Sequence, residues 1–155
     1  LDGFPVDNSK QLVLGSCFSV KDIMVMVEKY QNQSGRQKNT YAIIDGNGGW
    51  HTKANGVKEA ILYAKGNGLD FKLVSEKNYD KFLNVLSGFG GLIFLPQIHD
   101  TCPRVTIEAR LMGLDVIAND NCQHAVEEWF SFEAENLANY LLSRPQFFAD
   151  TIKGL

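Results

Sequence analysis

Two acidic side chains bracket a proline in the middle of the chain, at a spacing that suits the binding of a polar ligand. Asp100 and Glu108 are eight positions apart, and Pro103 lies between them. Pro103 suits the first turn of a helix, where its missing N–H is not needed. Asp100 is then in the preceding loop and Glu108 about one turn into the helix, so both can face one pocket. The free amides of that first turn favour an anion at the same place.

Two basic residues are candidates for neutralising such an anion. Lys21 follows the first predicted strand, and Arg104 follows Pro103. A guanidinium grips phosphate oxygens with a bidentate fork, whereas an ammonium acts as a point charge. Taken alone, Lys21 is equally well explained as a solvated lysine at a helix start. Glu108 alone has a simpler explanation too, as a glutamate near a helix N-terminus that favours the helix dipole.

Short β-rich runs alternate with helical patterns, which predicts a parallel sheet with helices on both faces. The predicted strands are 11–15, 40–44, 70–74, 91–95 and 114–118, and the predicted helices are 22–30, 55–65, 79–86 and 103–112. From about residue 125 the chain reads as helical, with a break near Pro145. We therefore expect one Rossmann-like, three-layer α/β domain of about five or six parallel strands in the order 3-2-1-4-5.

This fold class predicts where a ligand binds. Ligands lie at the carboxyl ends of the strands, where the strand order reverses. In the expected order the reversal falls between the first and fourth strands. The two loops that meet there are 15–21 and 96–104, and they contain the acidic and basic residues described above.

The segment 91–128 resembles the nucleotide-sugar-binding half of retaining glycosyltransferases that have two Rossmann-like domains, the GT-B type. Asp100 to Glu108 is similar to their E-x7-E motif, with Asp in place of the first Glu. The same families have a strand that ends in a proline, a polar loop, a proline or glycine, an aliphatic pair, Glu-Ala, a small helix, a glycine and another strand. Here these are Phe94-Leu95-Pro96, Pro103, Ile107-Glu108-Ala109, Gly113 and Leu114–Ala118.

The resemblance implies a role for each matching residue. Glu108 would hold the ribose hydroxyls of a nucleotide-diphosphate sugar such as a UDP-sugar, and Asp100 would contact the sugar. Lys21 would neutralise the departing diphosphate, which makes Lys21, Asp100 and Glu108 the implied catalytic set. Ser16 stands where the family has an Arg, and we advance Arg104 as the replacement. The full predicted site is Gly15, Ser16, Lys21, Val74, Ser75, Asp100, Thr101, Cys102, Pro103, Arg104, Val105, Thr106 and Glu108.

By the same resemblance the chain supplies only the donor side of a glycosyltransferase of carbohydrate biosynthesis. We expect a linker at 1–10 and the donor-binding domain at 11–155. The acceptor-binding domain would be fused upstream or be a separate subunit, and this domain alone would be inactive. No cofactor or metal is expected, because Lys21 and the helix amides would stabilise the phosphate charge and the chain has no Asp-x-Asp sequence.

Composition excludes several classes of protein. The net charge is −3 from 15 basic and 18 acidic residues, with no basic run, which argues against a nucleic-acid partner. No apolar stretch approaches the roughly 20 residues of a transmembrane helix. Three irregularly spaced cysteines argue against a disulfide framework and for a reducing compartment. We expect a cytoplasmic protein, or one that is peripheral to a membrane through the missing domain.

Two other interpretations stay open. Cys17, Cys102, Cys122, His99 and His124 all follow predicted strands, and thiolates with imidazoles are zinc ligands. Their spacings match no known ligand pattern, and small buried thiols explain them more simply. The chain is alternatively a non-catalytic nucleotide-binding or interaction module, because fold alone does not prove chemistry.

Two further segments have distinctive compositions. The glycine-rich stretch 45–51 lacks a phosphate-loop sequence, and we predict a mobile turn or lid there with Trp50 packed. The C-terminal aromatics are expected mostly in the core, with some forming an exposed apolar patch towards the missing domain. They are Trp129, Phe130, Phe132, Tyr140, Phe147 and Phe148.

Overall fold

One parallel sheet organises the protein in the computed structural model, which describes residues 18–46 and 48–153. Within those residues its strands are β1 (Gln37–Ile44), β2 (Asp70–Val74), β3 (Phe89–Phe94) and β4 (Asp115–Ala118). They lie in the order β2-β1-β3-β4, and each neighbouring pair is parallel. The predicted α/β class with a parallel sheet is confirmed, but the described residues form four strands and not the five or six predicted.

The predicted strand order is wrong at the centre of the sheet. β1 pairs directly with β3, with Tyr41 opposite Gly91 and Ala42 opposite Leu92, so no strand lies between them. The order 3-2-1-4-5 placed the strand at 11–15 there, and those residues lie outside the described ones. Glycines make the close pairing possible: a Cβ on Gly90 would lie 1.9 Å from the Lys38 carbonyl oxygen, and one on Gly91 would lie 2.3 Å from the Tyr41 ring.

Helices cover both faces of the sheet. They are α1 (Val20–Gln31), α2 (Gly49–Ala54), α3 (Val57–Gly66), α4 (Tyr79–Ser87), α5 (Arg104–Leu111) and α6 (Ala134–Lys153), with short 3-10 turns at Gln123–Val126 and Glu128–Ser131. Side chains cap the starts of two of them: Ser19 accepts from the Asp22 amide, and Asn78 accepts from the Lys81 amide. The four helices predicted before residue 113 are confirmed, with small shifts of their ends.

The apolar core has two parts, one on each face of the sheet. The larger part packs the sheet against α1, α4, α5 and α6, and includes the fully buried Met26, Leu92 and Ile107. The smaller part packs the opposite face against α3 and includes Ile43 and Ala60. Both faces of the sheet can bury apolar side chains, because successive strand residues point to opposite faces. The helices packed on the two faces confirm the predicted three-layer arrangement.

Two segments differ from the sequence predictions. The end of the glycine-rich stretch, from Gly49, is helical and starts α2, where a mobile turn or lid was predicted, and Trp50 is 62% exposed and not packed. α6 continues through Pro145 without a break. Arg144 lies 5.2 Å from the ring centre of Tyr140 and 4.1 Å from that of Phe147, so its side chain joins the turns on both sides of the proline.

The C-terminal aromatics divide between the core and the surface. Trp129 and Phe130 are buried, and Trp129 stacks on Tyr140 with ring centres 5.5 Å apart. Phe147 and Phe148 are exposed near the end of α6. The prediction that some of these rings form part of the surface is confirmed.

Arg36 joins the C-terminal ends of two helices, α4 and α5, at the amino ends of the parallel strands. Its guanidinium donates to the carbonyls of Ser87 (3.1 Å), Met112 (2.7 Å) and Gly113 (3.2 Å). These carbonyls lie at the C-terminal ends of α4 and α5, where the helix dipoles favour a cation. Burial lowers the pKa of Arg36. The clamp sets the relative position of α4 and α5, which both contribute to the site described below.

Gly56 marks a close backbone approach between α3 and the end of β3. Its φ is +67°, and a Cβ there would lie 1.6 Å from the Leu95 carbonyl oxygen. The nearby Gln97 amide donates to the Ala54 carbonyl at 3.0 Å. Only a residue without a side chain lets the start of α3 lie against this part of the sheet.

Gly56→Ala should destabilise the protein much more than Gly68→Ala. Gly68 has a similar φ of +64° but no atom within 4 Å of its Cβ position, so its substitution costs only the left-handed strain of about 1 kcal/mol. At Gly56 the backbone must also move, and we expect a loss of about 3 kcal/mol or more. Urea unfolding followed by circular dichroism measures both. Equal losses would show that the close approach is unimportant.

Candidate functional site

The loops after β3 and β4 form one unit at the carboxyl edge of the sheet. The Asp100 amide donates to the Asn121 carbonyl (2.7 Å), and the Gln123 amide donates to the Asp100 carbonyl (3.1 Å). These bonds make a short parallel bridge between Asp100 and Cys122. The side-chain amide of Asn121 donates to the Pro96 carbonyl at 2.9 Å. The loop that leads into α5 is thus held by backbone and side-chain bonds on both sides.

Glu108 is the buried charged residue of this edge. It is only 3% exposed and lies one turn into α5. The Tyr79 hydroxyl donates to its Oε1 at 2.9 Å, and Arg104 Nε lies 3.6 Å from the same oxygen. Burial raises the pKa of Glu108, whereas the bond from Tyr79 and the charge of Arg104 lower it. Glu108 lies beyond the first turn of α5, which has no acidic residue.

Tyr79 is the residue of this site that the sequence analysis missed. It is the first residue of α4, directly after the cap Asn78. Burial raises the pKa of its hydroxyl to about 12, with further contributions from the charge of Glu108 and the bond to it. The phenol therefore stays a hydrogen-bond donor at every physiological pH. Its place after β2, at the carboxyl edge, is the signal that would have drawn attention to it.

Arg104 connects the start of α5 to the start of α1. Its guanidinium lies 4.5 Å from the ring centre of Phe18. Burial lowers the pKa of Arg104, but the bond to Tyr79 and the charges of Glu108 and Asp22 outweigh it, so the pKa is raised. Asp22 is in the first turn of α1 and also raises the pKa of Glu108 by its charge. The Phe18 contact and the charge of Asp22 place the first turn of α1 beside the first turn of α5. Lys21 is exposed in that same turn of α1.

Asp100 has different surroundings from Glu108. Its Oδ1 accepts from the Cys102 amide at 3.1 Å, which stabilises the turn before α5. Its charge acts on Cys122 and on His124. The structure thus places the two acids of the motif in two neighbourhoods of the same edge. One is built by α1, α4 and α5, and the other by the loops after β3 and β4.

The other predicted site residues take several positions. Thr106 is buried, and its hydroxyl donates to the Pro103 carbonyl at 2.8 Å, which stabilises the first turn of α5. No side chain caps that helix. Val74 and Pro103 are buried, Val105 is half-buried, and Ser75, Thr101 and Cys102 are exposed. Gly15 and Ser16 lie outside the described residues.

Four of the five residues of the alternative metal site lie within the described part of the chain. In the part of the chain that the structure describes, no group of three or more His, Cys, Asp and Glu side chains is arranged to hold a metal ion. His99 is exposed, whereas Cys122 and His124 are buried. Burial raises the pKa of Cys122 and lowers that of His124. Cys17 lies outside the described residues.

Among the described residues, no helix is long and apolar enough to cross a membrane.

Comparison with known proteins gives no match to a family model, to a curated protein or to a solved structure. Function is therefore inferred from the geometry of the carboxyl edge of the sheet and from the motif that runs from Asp100 to Glu108.

Glu108→Gln should stabilise the unliganded protein at neutral pH. The folded-state pKa of Glu108 is above its ordinary value, so the folded protein binds this proton more tightly than the unfolded chain. Stability therefore falls as pH rises from the ordinary glutamate pKa through the raised one. The neutral glutamine removes that loss. Thermal unfolding of both proteins across acidic and neutral pH tests the effect, and a glutamine variant that is less stable only at neutral pH would contradict it.

Proposed function

We propose that this chain is the donor-binding domain of a glycosyltransferase and binds a nucleotide-diphosphate sugar. The buried carboxylate of Glu108 is the observation on which the proposal mainly rests. It lies beside Arg104 at the start of a helix that opens at the carboxyl edge of a parallel sheet. In folds with open parallel sheets this edge is where ligands bind.

Glu108 suits the recognition of a ribose. A carboxylate accepts two hydroxyl protons at once, and bonds to it gain strength where water is excluded. Its burial carries a desolvation cost that only hydrogen bonds and opposite charges offset. Tyr79 and Arg104 supply part of that compensation, and the ribose hydroxyls of the donor would supply more.

The start of α5 suits the diphosphate. The helix has no side-chain cap, and its Thr106 amide donates to the Pro103 carbonyl, so the Arg104 and Val105 amides would be the ones that meet phosphate oxygens. Arg104 and Lys21 would add positive charge from two adjacent helix starts. Such groups stabilise the negative charge that develops on a departing diphosphate, and the mechanism that we propose needs no metal ion.

Asp100 would contact the sugar end of the donor. Its loop is fixed by the bridge to Cys122 and by the bond from the Cys102 amide. A donor is an extended molecule, and its ribose and its sugar lie at opposite ends of the diphosphate. The separate neighbourhoods of Glu108 and Asp100 suit those two ends.

The acceptor would be held by a second domain that faces the same edge. Transfer in this architecture takes place in the cleft between the two domains, so we expect no transfer activity from this domain alone. We also propose that the anomeric configuration is retained, because the motif resembles that of retaining enzymes. Exposed apolar residues near the end of α6, Phe147, Phe148 and Ile152, offer contact area for the second domain.

A selective nucleotide should raise the melting temperature of the protein. A thermal-shift panel of uridine, guanosine and adenosine diphosphates and their sugars tests this, because binding to the folded state alone stabilises it by about 2.7 kcal/mol at 100 times Kd. We expect one base to give a clear shift, and Glu108→Gln to lose most of it. An interaction module that does not bind nucleotides would show no shift with any of them.

Arg104→Ala should weaken the binding of a nucleoside diphosphate about tenfold, because a charge-assisted phosphate contact is lost. The parent nucleoside, which has no phosphate, should be affected less, and only through the contact of Arg104 with Glu108. Lys58→Ala is the control: it removes one exposed positive charge from α3, on the other face of the sheet. Isothermal titration measures the diphosphate, and NMR titration measures the nucleoside. Unchanged diphosphate affinity in Arg104→Ala would remove this residue from the phosphate site.

A further inference from the structure

Tyr79 is the first residue of α4, beside the candidate ribose site, and its hydroxyl donates to the buried carboxylate of Glu108. We propose that Tyr79 is a positioning residue that holds the Glu108 carboxylate in the orientation and charge state in which it accepts two ribose hydroxyls. The inference rests on the proposed function and adds to it a residue outside the motif.

The position of Tyr79 is fixed by its neighbours along the chain. Glu76 Oε1 accepts from the Asn78 amide at 2.8 Å, and Asn78 Oδ1 accepts from the Lys81 amide at 3.0 Å. These bonds define the first turn of α4, in which Tyr79 is the first residue. At the opposite end of the helix, Arg36 binds the Ser87 carbonyl. The hydroxyl is thus presented to Glu108 by a helix that is held at both ends.

Both anchors of Glu108 act on one of its oxygens. Tyr79 donates to Oε1, and Arg104 Nε lies near the same atom. A carboxylate has about four acceptor positions on two oxygens, so a single phenol leaves enough of them for two hydroxyls. Two anchors on one oxygen also fix the rotation of the group. A ribose then meets an acceptor that needs no reorganisation, which lowers the cost of binding.

The hydrogen bond from Tyr79 also keeps Glu108 in the charged form, which accepts hydrogen bonds from hydroxyl groups. Burial raises the pKa of Glu108, and the hydrogen bond from Tyr79 is the largest of the effects that lower it. Arg104 lowers it as well, while Asp22 raises it. A protonated carboxyl group donates one proton and loses acceptor capacity. Without the Tyr79 hydroxyl, Glu108 would therefore be protonated up to a higher pH, and it would bind the ribose more weakly.

Tyr79→Phe separates this role from simple packing, because the ring stays and only the hydroxyl is removed. Tyr41→Phe is a matched control. The Tyr41 hydroxyl donates to Asp115 Oδ2 at 2.8 Å, and Asp115 is the first residue of β4, at the end of the sheet opposite to the site. Both substitutions delete one tyrosine-to-carboxylate bond, but only one of these bonds is at the candidate site.

The test uses uridine, guanosine and adenosine 5′-diphosphates and their 2′,3′-dideoxy counterparts, titrated calorimetrically into the wild-type protein and both variants. The range runs from about pH 5 to about pH 8. We expect Tyr79→Phe to weaken binding of the ribonucleotide roughly tenfold at neutral pH. The pH below which the affinity falls should also be higher in this variant. Binding of the dideoxy nucleotide should be nearly unchanged, and Tyr41→Phe should match the wild type. A carbon-13 NMR titration of Glu108 should show a higher pKa in Tyr79→Phe.

The possible results separate the two proposals. If the wild type binds none of these diphosphates, the proposed function is wrong and this inference falls with it. If the wild type binds one of them but Tyr79→Phe has the same affinity and pH profile, only the role of Tyr79 is wrong. Equal weakening of the ribonucleotide and its dideoxy counterpart would indicate general damage to the fold and would also overturn the inference.

Discussion

The buried negative charge of Glu108 is the constraint around which this edge of the protein is built. A carboxylate at 3% exposure loses most of its hydration, and that loss is offset only by donors and cations placed at short range. Those groups come from separate elements: Tyr79 from the start of α4 and Arg104 from the start of α5, with Phe18 beneath the guanidinium. The carboxylate therefore makes the relative positions of three helix starts interdependent.

Contacts elsewhere in the fold hold these three helix starts in position. Arg36 joins the C-terminal ends of α4 and α5 at the far side of the sheet, which fixes the direction of both helices. The bridge between Asp100 and Cys122 holds the loop that precedes α5, and Thr106 closes its first turn. A ligand-binding edge with a buried charge needs such rigidity, because a displaced donor would leave that charge without compensation.

The charges at the edge suggest why a diphosphate would complete it. Arg104 and Lys21 are positive, Glu108 and Asp22 are negative, and the amides at the start of α5 add a partial positive charge. With Glu108 turned to a ribose and Arg104 turned to a phosphate, each buried or half-buried charge would have a partner. Under the proposed function, the departures from the glycosyltransferase pattern, Asp at position 100 and Ser at position 16, would alter the sugar and phosphate contacts and not the ribose contact.

Local signals in the sequence were enough for most of the elements and for the position of Glu108 in α5. Cap residues, glycine stops and apolar periodicity act over a few residues, which is why α1, α4, α5 and four of the predicted strands were found near their observed bounds. The pairing of β1 with β3 depends on the approach of Gly90 and Gly91 to a strand about fifty residues away. Tyr79 is 29 positions from Glu108, and nothing near Tyr79 in the chain indicates its partner. The sequence alone determined most of the segments that become helix or strand, though not α2 or the unbroken α6. Only tertiary packing decided which strands pair and which side chains surround the buried carboxylate, because those contacts join residues that no local preference connects.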